Sequence, residues 1–404
     1  MLRSLRLPAA IVTALVVAEA AVWLLRPRET SPEPVPVQAR AYFSDAELSR
    51  AEAFRSGQRL LFLGSVAVDG AVLAWLVVRP PRRALERLTR RPVLGAAAAA
   101  AGVSLVLTVA GLPLAAWSRE RARDVGLVTQ SWGGWAGDLV KSQAISTVIA
   151  GAGGALLVVG MRRFGRRWWV AGSVVVVAFG AVMLYAGPAV LDPLFNRFEP
   201  AEPALRAQVT GLAAEAGVKV DKVLVMDASR RTTASNAYVS GLGPTKRVVL
   251  YDNLLKDFSP AEVRFVVAHE LAHVRYRDVP HGLLYLAMVA PFGMLAAARL
   301  AERFGARPDA RAVPATALAL ALLVPAVTAV SNQLSRAVER RADAFALRAT
   351  GEPATQIDFQ RRITIRNVGD PDPPGWAQAL FGTHPTPLER IGAAEAVRRQ
   401  RQAG

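Results

Sequence analysis

Seven apolar stretches punctuate the chain, around 8–25, 60–78, 93–117, 143–161, 168–190, 281–300 and 313–331. Each is long enough to cross the hydrocarbon core of a bilayer as a helix, and several carry no charge. The stretches at 281–300 and 313–331 contain proline and are the least regular, so the count holds to within about one. Two polar segments, 191–280 and 332–404, are large enough to build a unit outside the bilayer. The predicted organisation is therefore five spans over 1–190, a first polar segment over 191–280, two spans over 281–331, and a second polar segment over 332–404.

Local patterns fill in those segments. Residues 203–217 read as a helix ending at Gly217, and Val223–Met226 and Arg247–Tyr251 as short strands, the second following the turn Gly241-Leu242-Gly243-Pro244. Ser259-Pro260-Ala261-Glu262 has the form of an N-cap, a proline at the first helical position and a capping-box glutamate. The helix it opens should run through His273 with Val263, Val266, Val267, Leu271 and Val274 on a buried face, and Pro280 limits its extent. A further helical pattern runs from Ser331 to Ala349 and closes near Gly351. The expected fold is mainly α and polytopic, with an α+β unit made from two sequence pieces. Its small sheet should offer an edge on which an extended peptide can add as a strand.

Composition agrees with a membrane setting, since 52% of the 404 residues are hydrophobic. The net charge of +17 could suggest nucleic acid, but its distribution argues against that partner. Arg79, Arg82, Arg83, Arg87, Arg90 and Arg91 follow the second span, and Arg162, Arg163, Arg166 and Arg167 separate the fourth from the fifth. Charge at span ends sets orientation, and basic loops can also attract anionic lipid head groups. With a cytoplasmic N-terminus, seven spans put both polar segments outside. No cysteine occurs, which excludes disulfides and thiolate ligands. Lysine is confined to positions 141, 219, 222, 246 and 256, and this excess of arginine, with the load of Ala, Gly and Val, points to a GC-rich bacterial genome. At the N-terminus, Arg3 and Arg6 precede an apolar run containing Ala18-Glu19-Ala20, which could be a cleaved signal peptide. The run continues through Val22, Trp23, Leu24 and Leu25, favouring a retained anchor helix. Residues 26–41 are Pro-rich and extended.

Chemistry enters with His269-Glu270-Leu271-Ala272-His273. On a helix, i and i+4 share a face, so His269 and His273 can hold one zinc ion while Glu270 stands beside the open coordination position. The chain has only four histidines, the others being His281 and His384. A third ligand is needed, and Glu339 is the best candidate, with Asp343 one turn on. Spacing alone leaves an alternative, solvated pairing of both acids with Arg336, Arg340 or Arg348.

Ser335-Arg336-x-x-Glu339-x-x-Ala342-Asp343-x-x-Ala346, downstream of the histidine pair, resembles the type I CAAX prenyl protease family of integral-membrane zinc endopeptidases. Tyr42-Phe43-Ser44, Gln130-Ser131-Trp132-Gly133-Gly134-Trp135, Pro193-Leu194-Phe195-Asn196-Arg197-Phe198, Ser235-Asn236-Ala237-Tyr238, Lys246–Asp252 and Phe381-Gly382-Thr383-His384-Pro385 resemble its motifs in the same order. The resemblance implies about seven helices around a large membrane chamber with one zinc site at its end, Glu339 as the third ligand, and a catalytic face toward the cytosol. That last implication is the reverse of the charge rule. It also implies that Asn236 and Ala237 belong to a substrate-binding edge strand and that His384 contacts substrate. Asp343 matches the family's proposed proton donor, although a carboxylate that orients a zinc-bound histidine fits as well. Asn236 could equally be an ordinary turn residue. His281 matches no motif and reads as interfacial.

The expected activity is hydrolysis of peptide bonds with Glu270 as general base and His384 as a donor to the developing oxyanion. The expected partners are the bilayer and a peptide or membrane-protein substrate, lipidated or not. The resemblance suggests prenylated peptides, whereas a bacterial plasma membrane points to quality-control or regulatory cleavage. A catalytically silent binding or transport module is the alternative, but it has no need of a general base. A purely structural zinc site is disfavoured because three ligands leave a position open.

Overall fold

In this computed structural model, residues 6–29, 31–220, 222–241 and 243–403 are described. Arg3 and Leu242, invoked above, lie outside them. The membrane-spanning part opens with α1 (Arg6–Leu25), α2 (Asp45–Val78), the short α3 (Arg82–Thr89), α4 (Pro92–Asp124), α5 (Trp132–Phe164) and α6 (Trp168–Val190). Six helical stretches among the described residues are long and apolar enough to cross a membrane, and the fourth is a single 59-residue run, 132–190. A straight helix of that length would extend about 88 Å, nearly three times a hydrocarbon core of about 30 Å. The run instead breaks at the 3-10 turn Gly165–Arg167, where Gly165 takes φ 53°, and α6 returns beside α5. The six stretches thus supply seven crossing segments, in line with the apolar pattern. Their large side chains face outward, Val148 being 72% and Leu60 70% exposed, a surface suited to acyl chains rather than water.

Outside the bilayer come α7 (Asp192–Phe195), β1 (Phe198–Pro200), α8 (Pro203–Glu215), β2 (Lys222–Met226), β3 (Ala237–Ser240), β4 (Arg247–Tyr251), α9 (Asp252–Asp257) and α10 (Pro260–Arg275). The sheet order is β1-β2-β4-β3, with β2 and β4 parallel and the outer strands antiparallel, so β3 is an edge. The chain re-enters the membrane through α11 (Asp278–Arg303) and returns in α12 (Ala312–Thr350), followed by α13 (Pro353–Arg366), α14 (Gly375–Phe381) and α15 (Pro387–Ala403). Pro280 falls in the first turn of α11, where a missing N–H costs no intrahelical bond. The α12 helix runs unbroken through residue 331 to its left-handed cap at Gly351, so a membrane span and the Glu339–Asp343 turn are one rod.

The core of the external unit joins α8, the sheet, α10 and α12 through Val209, Leu250, Leu254, Phe265, Leu271 and Leu347. Small residues bring α1 into the bundle: Ala10 and Ala14 pack at Ala296, and Ala18 and Ala21 at Val289.

Candidate metal centre

The site begins with the way α10 is capped. Ser259 Oγ accepts from the Glu262 amide at 3.3 Å, the Ser259 amide donates to Glu262 Oε2 at 2.7 Å, and Pro260 follows the cap. This fixes the helix phase. Phe265, Val267, Ala268 and Leu271 are buried in the core, and that phase carries His269 and His273 toward α12.

His269 Nε2 and His273 Nε2 lie 3.3 Å apart, and Glu339 approaches them with Oε2 at 3.2 Å and Oε1 at 3.6 Å. One donor atom from each residue falls within 4.8 Å of the others. The far side of each ring faces a carboxylate: His269 Nδ1 is 3.0 Å from Asp343 Oδ1, and His273 Nδ1 is 2.9 Å from Asp278 Oδ2. A carboxylate accepts, so a proton on each Nδ1 would face one, and a ring in that tautomer would turn its Nε2 lone pair inward once a cation replaces the second proton. Two lone pairs and a carboxylate then converge, and the buried Glu339 Oε2 has no hydrogen-bond donor. Such a set repels itself unless a cation sits among it, and the His-His-Glu donor set suits zinc. Burial disfavours charge on His269, but Asp343 and Glu339 outweigh it and raise its pKa to about 10. The carboxylates that would retain a proton there would equally retain a divalent cation.

Each supporting carboxylate is itself clamped. Arg390 donates to Asp343 from Nε at 2.8 Å and from its terminal nitrogen at 2.5 Å. Arg341 donates to Asp278 and stacks on Tyr276 at 4.0 Å. Glu339 and Asp343 are 8% and 4% exposed, which rules out solvated pairing with Arg336, Arg340 or Arg348.

Glu270 lines a cavity of about 130 Å³ together with the ligand candidate His269 and with Asn236, Ala237, His384, Asn367 and Arg390. Burial raises its carboxyl pKa, against the opposing effect of the two histidines. His384 Nε2 is 3.3 Å from Glu339 Oε2, its Nδ1 is 2.9 Å from Thr383 Oγ1, and its carbonyl accepts from Gln378 at 2.7 Å. Asn236 hydrogen-bonds through its carbonyl to the Tyr251 amide, so Ala237 and Val239 point their backbone groups away from β4. Both of those outward N–H groups are already engaged, Ala237 by Asn236 Oδ1 at 2.9 Å and Val239 by the Glu270 carboxylate. His281 lies exposed on α11, its ring 3.1 Å from the Tyr276 carbonyl.

The structure therefore gathers His269, Glu270, His273, Glu339, His384, Asn236 and Ala237 at one place, and sets Asp343 behind His269. Sequence reasoning missed Asp278, Arg341, Arg390 and Asn367. Asn367 pairs with both backbone groups of Ser235, at 3.0 and 3.1 Å, and so holds the approach to β3. A carboxylate five residues past the second histidine was the one local signal available for Asp278.

Comparison with known proteins follows the same division of the chain. Residues 200–398 match Peptidase family M48, and residues 31–197 match the CAAX prenyl protease N-terminal region of five membrane helices. An uncharacterized metalloprotease, YhfN of Bacillus subtilis, is 28% identical over 370 residues, 88% of this chain and 87% of that one. A CAAX prenyl protease 1 homolog of rice is 32% identical over 229 residues, covering 54% of this chain and 53% of its own length. The crystal structure of Ste24p from S. mikatae superposes with a TM-score of 0.76 at 19% identity, over 97% of this chain and 98% of that one.

Proposed function

The chain belongs to Peptidase family M48 as a multi-pass membrane protein, and from that premise we propose that it is a zinc endopeptidase holding one ion through His269, His273 and Glu339. The observation that carries this reading is the convergence of two imidazole nitrogens and a buried carboxylate whose Oε2 makes no hydrogen bond among the described residues. When bound there, zinc would lower the pKa of a coordinated water toward neutrality and polarise the scissile carbonyl.

The rest belongs to the side chains. Glu270, outside the ligand set and with its pKa raised, takes the proton of the attacking water and returns it to the leaving amine. With the Thr383 hydroxyl donating to His384 Nδ1, the ring proton lies on Nε2, 3.3 Å from Glu339 Oε2, and with Glu339 committed to the metal that N–H turns to the developing oxyanion. Asp343 acts as a positioning residue: its carboxylate is committed to His269 and Arg390 and does not line the cavity that Glu270 faces. An extended substrate adds to β3 at Ala237, taking over the amide that Asn236 caps.

Substrates are taken to be peptide segments of membrane proteins, cleaved in quality control or regulation at a bacterial plasma membrane. Fourteen arginines (79, 82, 83, 87, 90, 91, 162, 163, 166, 167, 299, 303, 307 and 311) occupy the loops and span ends away from the catalytic unit, against Glu86, Glu302 and Asp309. That excess supports a cytoplasmic side for those loops and an outer side for the metal centre. The test of activity and substrate together is proteomics of membrane peptides from cells carrying the native chain or Glu270→Gln. Cleavage products confined to the native chain support the proposal, and identical peptide sets overturn it.

A further inference from the structure

At the membrane end opposite the metal centre, α3 crosses the ends of α2 and α4 as a two-turn amphipathic helix. Its Leu85 and Leu88 face inward, while Arg82, Arg83 and Arg87 are exposed and make no side-chain hydrogen bond or ion pair among the described residues. The helix is held down by one close approach: a Cβ on Gly95 would sit 1.8 Å from the Leu88 carbonyl oxygen, so only glycine lets α3 and α4 meet there.

Beneath α3 lies a cleft of about 430 Å³, bounded by α2, α4 and the loop 304–311 between α11 and α12. That volume falls in the range of about 300–1,000 Å³ typical of small-molecule sites. Its walls are apolar, with Val77, Leu85, Leu88, Val103, Val106 and Phe304 among them. The space exists because α4 presents Ala98, Ala99 and Gly102 to it, and a Cβ on Gly102 would meet nothing within 4 Å.

The rim is basic. Arg307 and Arg311 line it from the loop, and Arg311 is committed to Asp309, with Nε at 3.0 Å from Oδ1. The Arg307 guanidinium is exposed and makes no hydrogen bond or ion pair among the described residues, and Asp309, whose charge it feels, is already paired with Arg311. An apolar slot beside the acyl region with a free guanidinium at head-group level complements one kind of molecule, an amphiphile with a long chain and an anionic phosphate.

We propose that this cleft binds a single anionic phospholipid, with an acyl chain lying along Gly102 and the phosphate at Arg307. The lipid fills the gap between the α2–α4 part of the bundle and the α11–α12 hairpin, the hairpin whose far end carries the metal centre. This proposal does not depend on the peptidase assignment, because its readout is lipid binding.

Native mass spectrometry of the full chain in detergent, titrated with dioleoyl-phosphatidylglycerol or dioleoyl-phosphatidylcholine, tests it. The native chain should hold one phosphatidylglycerol at concentrations where phosphatidylcholine is not retained. Arg307→Glu should weaken phosphatidylglycerol by about tenfold or more, the loss of one charge-assisted contact, and should erase the head-group preference. Gly102→Leu, which grows into open space, should lose the bound lipid while the chain elutes and melts as a folded protein. Ala98→Leu does the same job should Gly102→Leu fail to fold. Equal retention of the two lipids by the native chain, or unchanged phosphatidylglycerol binding in the filled variants, overturns the proposal.

Discussion

Asp343→Asn separates two roles that the sequence left open for this carboxylate. Asp343 Oδ1 stands 3.0 Å from His269 Nδ1, and both oxygens are taken up by Arg390 at 2.8 and 2.5 Å. If the carboxylate holds His269 in the tautomer that leaves Nε2 free, an amide weakens that hold, because it can present either its oxygen or its NH₂ group to Nδ1. Loss of such a supporting carboxylate typically lowers metal affinity 10–100-fold, or about 1.4–2.7 kcal/mol. Arg390 would also lose an anionic partner in a buried setting, so a lower melting temperature should accompany the change. The assay is a zinc titration against a competing chelator, run beside peptide hydrolysis at low and saturating zinc. Activity should fall at low zinc and largely return at saturation. Because Asp343 and Arg390 act as one unit, Arg390→Gln in the Asp343→Asn background should cost less than it does alone. The reasoning is refuted if zinc affinity is unchanged while kcat collapses at saturating zinc, which is the signature of a proton donor.

Glu270→Gln should keep bound zinc yet lose about 10²–10⁴ in kcat, as expected of a general base that is not a ligand; metal analysis beside kinetics checks it. His384→Ala should also keep zinc, lowering kcat by about 10²–10³ with a smaller change in KM, and loss of metal in this variant would make His384 a ligand instead. Because burial raises the Glu270 pKa, its active, ionised form is lost on acidification at a higher pH than for an ordinary glutamate. In the metal-free protein the Glu270 carboxyl, followed by carbon-13 NMR, should therefore titrate above the ordinary value of 4.5, and titration at or below that value would contradict its burial. Ser229→Cys, on the exposed surface of the external unit, should react with a membrane-impermeant thiol reagent in intact cells; protection that disappears on lysis would reverse the orientation.

What the chain encodes locally was legible without coordinates. The apolar runs that form α1, α2, α4, α5, α6, α11 and α12 follow from hydropathy alone, since lipid demands about twenty apolar residues in a row whatever the tertiary arrangement. The capping box at Ser259 and the i, i+4 spacing of His269 and His273 are equally local, because helix geometry alone places those side chains on one face. Glu339 stood out as the best third-ligand candidate on the second polar helix and family likeness strengthened it, but spacing alone gave no reason to bring it to α10. What only the tertiary structure decided is which distant groups share the site. Asp343 meets Arg390 across 47 residues, Ser235 meets Asn367 across 132, and His384 meets Glu339 from a loop after α14. Even Asp278, five residues from His273, reaches it only because Arg277 takes a left-handed turn at φ 55° between α10 and α11. Hydropathy and helical period act within a few turns of one chain segment. The contacts that orient the imidazoles depend on how α10, α12 and α15 pack, and that packing is set by complementary volumes and buried charges contributed from segments far apart in sequence.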